Sequence, residues 1–332
     1  MAYVKFSEAD TITDRFLTLL KRYGIDPPVG SNLESELLSL TELMSVIRDP
    51  NIVQGHPDEK RIIRTAAGIY DLAAKILAVD GIPEFDCLVP HLKLIMRSKL
   101  PKEVDPPSLI QNDKSHDDTS RKIAELYLGT LVAHVCKDLE LDHPTRPRGD
   151  NPDLLFTLVD GDSAATWRFG IAVKAIGRKA AGQTIFERIQ EAGHQIDLSP
   201  AERGLIVISA KNDIDHDTLW NTVFADEDAA IEALKAQLQT IIDRVEADRP
   251  QTEWDALFTS KCARPIVFMA HTAVKLATEK GGPVTPTALQ MTLAYGANGA
   301  LDPVANVLSN EINKWMHYIR RGISGAHRGF PL

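Results

Sequence analysis

Apolar positions recur at helical spacing through the first hundred residues. In "ESELLSLTELMSVIRDP" the residues Leu37, Leu38, Leu40, Leu43, Met44 and Ile47 form one broad stripe, which predicts a helix that stops at Asp49-Pro50. "PDEKRIIRTAAGIYDLAAKILAV" opens on proline and acids, which suit a helix start. It continues with Ile62, Ile63, Ala66, Ile69, Leu72, Ala73 and Ile76 on one face. "LPKEVDPPSLIQNDKSHDD" sets Pro101, Pro106 and Pro107 among polar residues and reads as a linker. The pattern then changes. A helix is expected over 119–140, strands over 153–159 and 167–176, a helix over 183–197 and a buried strand over 204–210. A long helix over 227–247, another apolar run at 264–270, and helical segments near 286–295 and 303–321 complete the chain. Helix, strands, helix, strand is an α/β layer pattern. The expected organisation is an α-helical domain over residues 1–112 and an α/β domain over 113–332 with helical additions at its end.

Composition narrows the class. A chain of 332 residues, 44% hydrophobic and 25% charged, suits a soluble globular protein of about two domains. No apolar run reaches the roughly 18 to 20 residues that span a bilayer. The start, "MAYVKFSEADTITDRF", lacks the apolar centre of a secretory signal. Cys87, Cys136 and Cys262 are too scattered for a disulfide framework or a zinc site, so a cytoplasmic setting is expected. The formal charge of −9 excludes a protein that coats nucleic acid by bulk attraction, though not a local basic groove. Arg168, Lys174, Arg178, Lys179 and Arg188 face Glu187 alone in their stretch of sequence, and Arg178, Lys179 and Arg188 are candidates for nucleic-acid contact.

The chemistry concentrates in "NPDLLFTLVDGDSAATWRFGIAVKAIGRK", residues 151–179. Residues i and i+2 of a strand share a face, so positions 172 and 174 point together, and Asp153 at the mouth of the preceding strand can meet Lys174 across the pair. Phosphodiester hydrolysis needs an activated water and a sink for negative charge, and carboxylates holding Mg²⁺ beside a lysine supply both. Pro152-Asp153, about twenty residues, then x-x-Lys174 resembles the PD-(D/E)XK nuclease superfamily, with its restriction-endonuclease-like mixed sheet flanked by helices.

Glu125, at the edge of the apolar face formed by Leu128, Gly129, Val132 and Cys136, matches the glutamate of that family's first helix. Gln190 and Gln195-Ile196 match the helix after the lysine. The resemblance covers residues 118–212, about a third of the chain. It implies Mg²⁺, or Mn²⁺, held by Asp153 and Glu125, with Lys174 acting on water or transition state and Gln195 assisting. The implied activity is cleavage of nucleic acid, DNA in the first instance, in a prokaryotic defence or restriction setting. The N-terminal helices would then serve sensing, dimerisation or partner binding.

Ala172 stands where the family has its second acid. It could be a deliberately introduced alanine, or the acid could have migrated to Glu187 or Glu191, four apart on one helix face, while Asp160 and Asp162 in the hairpin loop lie too far from Lys174. Alternatively the domain binds without cutting. This chain is therefore expected to be weak or inactive on a nuclease fold, with an introduced alanine the favoured explanation because the rest of the motif is intact.

Other motifs carry less. His134 and Cys136, two apart on the expected helix, do not make a metal site. "KGGPVTP" reads as a turn, and Ser209 lacks a nucleophile elbow. The tail, with His317, Arg320, Arg321, His327 and Arg328 beside Trp315, Tyr318 and Phe330, more often ends a helix than grips DNA. The rival readings are a non-catalytic module that binds nucleic acid or protein, and hydrolysis of a small phosphorylated substrate.

Overall fold

The computed structural model describes residues 9–48, 59–97, 118–146, 151–159, 165–247, 249–277 and 284–317. Within these, α1 (Ala9–Arg22), α2 (Asn32–Arg48), α3 (Glu59–Ala78), a 3-10 turn (Pro83–Leu88), α4 (Val89–Arg97) and α5 (Asp118–Val132) precede the sheet. Then follow β1 (Cys136–Leu141), β2 (Leu154–Val159), β3 (Thr166–Ala175), α6 (Gly182–Leu198), β4 (Arg203–Ser209) and α7 (His216–Asn221). The short β5 (Val223–Phe224), α8 (Glu227–Glu246), α9 (Gln251–Leu257), β6 (Ile266–Leu276), β7 (Thr285–Tyr295) and α10 (Pro303–His317) complete the order. The linker with Pro101, Pro106 and Pro107, the loop of Asp160 and Asp162, most of "KGGPVTP" and the tail after His317 lie outside the described residues, as do the side chains of Leu43, Met44 and Ile47.

β1, β2 and β3 form an antiparallel meander. α6 then crosses over to β4, which runs parallel to β3 from Phe169↔Arg203 to Ala175↔Ser209. β6 lies parallel to β4, takes β5 beside its far end, and pairs antiparallel with β7 along its whole length. The result is a mixed seven-stranded sheet with helices against it.

The central strands explain the layering. β3 and β4 read as near-continuous apolar runs, the composition of strands covered on both faces. Ile171, Val173, Leu205 and Val207 belong to one buried cluster, while Ala172, Ile206 and Ile208 belong to the other. The first cluster includes Ile12 and Phe16 of α1, Ile69 and Ile76 of α3, Leu126 of α5 and Leu308 of α10. The second is formed with Ile185 and Ile189 of α6 and Leu234 and Ile241 of α8. The helices before residue 112 therefore share their core with one face of the sheet.

Two segments depart from the sequence expectation. The helix expected over 119–140 ends at Val132, and Cys136–Leu141 is an edge strand with a register irregularity between Lys137 and Glu140, where Asp138 has φ +52. The segment near 286–295 is strand, not helix. Its leucines, alanine and glutamine are good helix formers, but eleven paired positions along β6 override that preference.

The last carbonyls of α10 have no partner within the helix. The buried Lys75 of α3 supplies one, its Nζ donating to Trp315 O at 2.6 Å and Met316 O at 2.7 Å, while Gln290 of β7 also donates to Met316 O. Asp71, one turn earlier on α3, accepts from Tyr127 Oη at 2.8 Å and lies 4.0 Å from Lys75. Lys75→Met keeps the length of the side chain but leaves Trp315 O without this donor and Asp71 without its nearby cation. It should destabilise the protein by about 3 kcal/mol or more in urea denaturation. A loss below about 1 kcal/mol would show that water replaces the ammonium.

Candidate active site

At the carboxyl end of β3 the sheet opens. The β2–β3 ladder stops at Leu154↔Ile171, and the next amide facing that side, Val173 N, donates instead to Asp153 Oδ2 at 2.7 Å. A side chain thus takes over from the departing strand, which fixes the buried Asp153 carboxylate at the mouth of β2. Glu125, in the second turn of α5, is also buried, and its charge acts on Asp153.

Two further residues complete the cluster. Lys122, one turn before Glu125, places Nζ 2.6 Å from Glu125 Oε1 and 3.8 Å from Asp153 Oδ1. His91 of α4, almost fully buried, lies with Nε2 3.1 Å from Glu125 Oε2, and its Nδ1 has no partner among the described residues. The spacing of Lys122 and Glu125 was a readable i,i+3 signal. His91, in the apolar run "VPHLKLIM", gave no sequence signal of this contact.

Burial dominates the electrostatics. It pushes the Asp153 carboxyl up to about 7, helped by the charge of Glu125 and opposed by Lys122, Val173 N–H and Lys174. Burial also raises Glu125, against the pull of Lys122. Burial and Lys122 hold His91 down to about 3, so its ring is neutral and donates from Nε2. Lys122 itself is raised because Glu125 and Asp153 outweigh the desolvation of its ammonium.

Lys174 is half-buried near the same end of β3. Desolvation lowers its pKa, while Asp153, Glu191 and Glu125 act the other way. Lys174 and Asp153 thus lie in one another's field, although among the described residues they form no direct ion pair. Of the two proposed migrated acids, Glu191 lies in the field of Lys174 and is paired with Arg188 at 2.8 Å, whereas Glu187 is exposed and accepts from Gln183. Gln195 lies one turn beyond Glu191 on α6, its Oε1 buried without a partner among the described residues. Arg178 and Lys179 are exposed in the loop that follows β3, with Lys179 N donating to Asp213 Oδ1 at 2.6 Å. Arg168 belongs elsewhere, paired with Glu140 of β1.

Ala172 shares the face of Lys174, as the strand period requires, but that face is also core. It is fully buried among Ile185, Ile189 and Ile206 under α6. Cys136 starts β1 rather than sitting on a helix, and His134 stacks on Trp315 at 3.9 Å.

The residues accommodate a cation in one limited way. Mg²⁺ is commonly held by one or two carboxylates while keeping several waters, and Glu125 with Asp153 offers that pair. Among the described residues no group of three or more acidic, histidine or cysteine side chains is arranged for a metal. A pocket of about 170 Å³ is lined by Lys93, His143 and Thr145 together with Val89, Pro90 and Leu94. No helix among the described residues is long and apolar enough to cross a membrane. No protein-family model, curated protein or solved structure matches the chain.

Asp153 has a testable pH signature. Its folded pKa of about 7 lies above the ordinary 3.8, so the folded state keeps a proton that the unfolded chain has released. Its contribution to stability is full below the ordinary value and is lost as pH rises through about 7. Paired urea titrations of the parent and Asp153→Asn should show the parent's relative stability falling across that window and level above it. A flat difference throughout would mean that Asp153 titrates as an ordinary carboxylate.

Proposed function

We propose that the Glu125–Asp153–Lys174 group hydrolyses phosphodiester bonds of nucleic acid, DNA in the first instance, with a divalent cation, on a restriction-endonuclease-like framework. One observation carries the reading: two buried carboxyl groups from separate elements converge at the mouth of β2, with a lysine in their field. The element order supports it: the helix of Glu125 precedes the strands of Asp153 and Lys174, and the helix of Gln195 follows them, as the resemblance implies.

Mg²⁺ held by Glu125 and Asp153 would supply an acidified water and neutralise phosphate charge. The chain's own groups account for the rest. Asp153, fixed by the amide of Val173, and Glu125 keep the two carboxyl groups together at the mouth of β2. Lys174 is placed to stabilise charge growing on the phosphoryl oxygens. Neutral His91 fixes Glu125 through its Nε2–H, and Lys122 balances part of the carboxylate charge. Arg178 and Lys179 lie on the exposed loop beyond Lys174, where a nucleic-acid backbone would pass.

Digestion of plasmid and oligonucleotide DNA with Mg²⁺ or Mn²⁺ tests this. Lys174→Ala and Asp153→Asn should each lower cleavage by about 10²-fold or more. Cleavage unchanged in both variants would reject the assignment.

A second reading has its own support. Lys122 already sits where a cation would bridge the carboxylates, as it would in a binding module whose site has closed on itself. Melting curves separate the two. In the nuclease reading Mg²⁺ or Mn²⁺ raises the melting temperature, more so in Lys122→Met. No shift in either protein favours the binding module.

A further inference from the structure

A second charged pocket lies at the opposite end of the sheet. Arg203 opens β4, and Lys261 and Arg264 precede β6. With Ser260, Phe258 and Asp302 they line a pocket of about 340 Å³, inside the roughly 300 to 1,000 Å³ range typical of small-ligand sites. Three cations face it against one acid, Asp302.

Each cation retains capacity for an anion. Arg264 lies over the Phe258 ring at 4.1 Å and donates from one outer nitrogen to the exposed Asp255 at 2.8 Å. Its Nε is buried and has no acceptor among the described residues. Lys261 Nζ donates to a neutral group, Ser199 O, at 2.6 Å, while nearby Asp197 is bonded to the backbone amide of Lys261 at 3.1 Å. Arg203 pairs with Asp302, whose other oxygen accepts from Ala305 N at 3.0 Å and so caps α10.

The loop beside the pocket is shaped around the guanidinium. A Cβ at Gly299 would fall 2.4 Å from Arg264 Cζ, so any larger residue there would push the guanidinium aside. Ala297 and Asn298 just before it have φ of +46 and +55, uncommon for residues other than glycine. Such strain persists only where the surroundings enforce it.

We propose that this pocket binds a phosphate-bearing anion of up to mononucleotide size, gripped by Arg203, Lys261 and Arg264. Planar guanidinium forks and an ammonium together match a phosphate better than a single carboxylate. The site is distinct from the scissile position. Arg203 and Ser209 end the same strand, and six steps at about 3.3 Å put them about 20 Å apart. The proposal does not rest on nuclease activity.

Calorimetric titration of the full chain with inorganic phosphate and with AMP, at constant ionic strength, tests it. Both should bind, with AMP at least as tightly as phosphate. Arg203→Gln should weaken binding about tenfold or more, and Arg264→Lys should also weaken it. Asp302→Asn keeps the helix cap, removes the competing charge and should tighten binding. Circular dichroism and melting curves confirm that each variant folds. No binding of either probe by the parent, or equal affinities in parent and folded variants, overturns the proposal. Phosphate bound with AMP excluded overturns the stated size.

Discussion

The two central strands have no polar face, and this constraint organises the molecule. Ile171, Val173, Leu205 and Val207 pack against one layer of helices, and Ala172, Ile206 and Ile208 against the other. A strand buried on both sides can carry charge only where it begins or ends. Lys174 and the carboxylates therefore gather at the carboxyl end of β3, and Arg203 with Lys261 and Arg264 at the amino ends of β4 and β6. Both sites follow from the same covering of the sheet.

That covering also explains why the N-terminal helices reach the chemistry. α4 and α5 are apolar enough to join the cluster under β3, and each carries a polar residue toward the sheet's open end: His91 from α4, Lys122 and Glu125 from α5. Such groups are costly to bury alone. They are tolerable here because each polar head meets another, with Glu125 between an ammonium and a neutral imidazole. The same logic holds α10 in place, where Lys75 and Gln290 satisfy the carbonyls that end the helix.

Legibility in the sequence followed the strength of local pattern. β2, β3 and β4 are dense apolar runs bounded by turns, and their limits were readable to within a residue or so. β1 was hidden because Leu131, Val132, Val135, Cys136 and Leu139 continue the helical spacing of α5. Only pairing with β2 turns that stretch into a strand. β7 was hidden because its letters favour helix and its register comes from β6. At the site, Asp153, Glu125 and Lys174 were readable because charges in apolar strands and helices demand a reason. His91 was not, since it comes from α4 and meets Glu125 only after folding, across 34 positions of sequence.

Position 172 shows how the same constraint limits the site. A carboxylate there would point into the apolar cluster beneath α6, alongside Ile185 and Ile206. An unpaired charge in such surroundings costs several kcal/mol unless it is neutralised. Restoring an acid at 172 therefore demands that α6 shift or that Lys174 turn inward, not simply that one side chain be exchanged. The carboxylates that do converge come instead from the rim, where Val173 N–H and Lys122 receive them. A cation at this end of the sheet would compete with Lys122 for Glu125 and Asp153, and Lys122 would have to yield the oxygen it now holds.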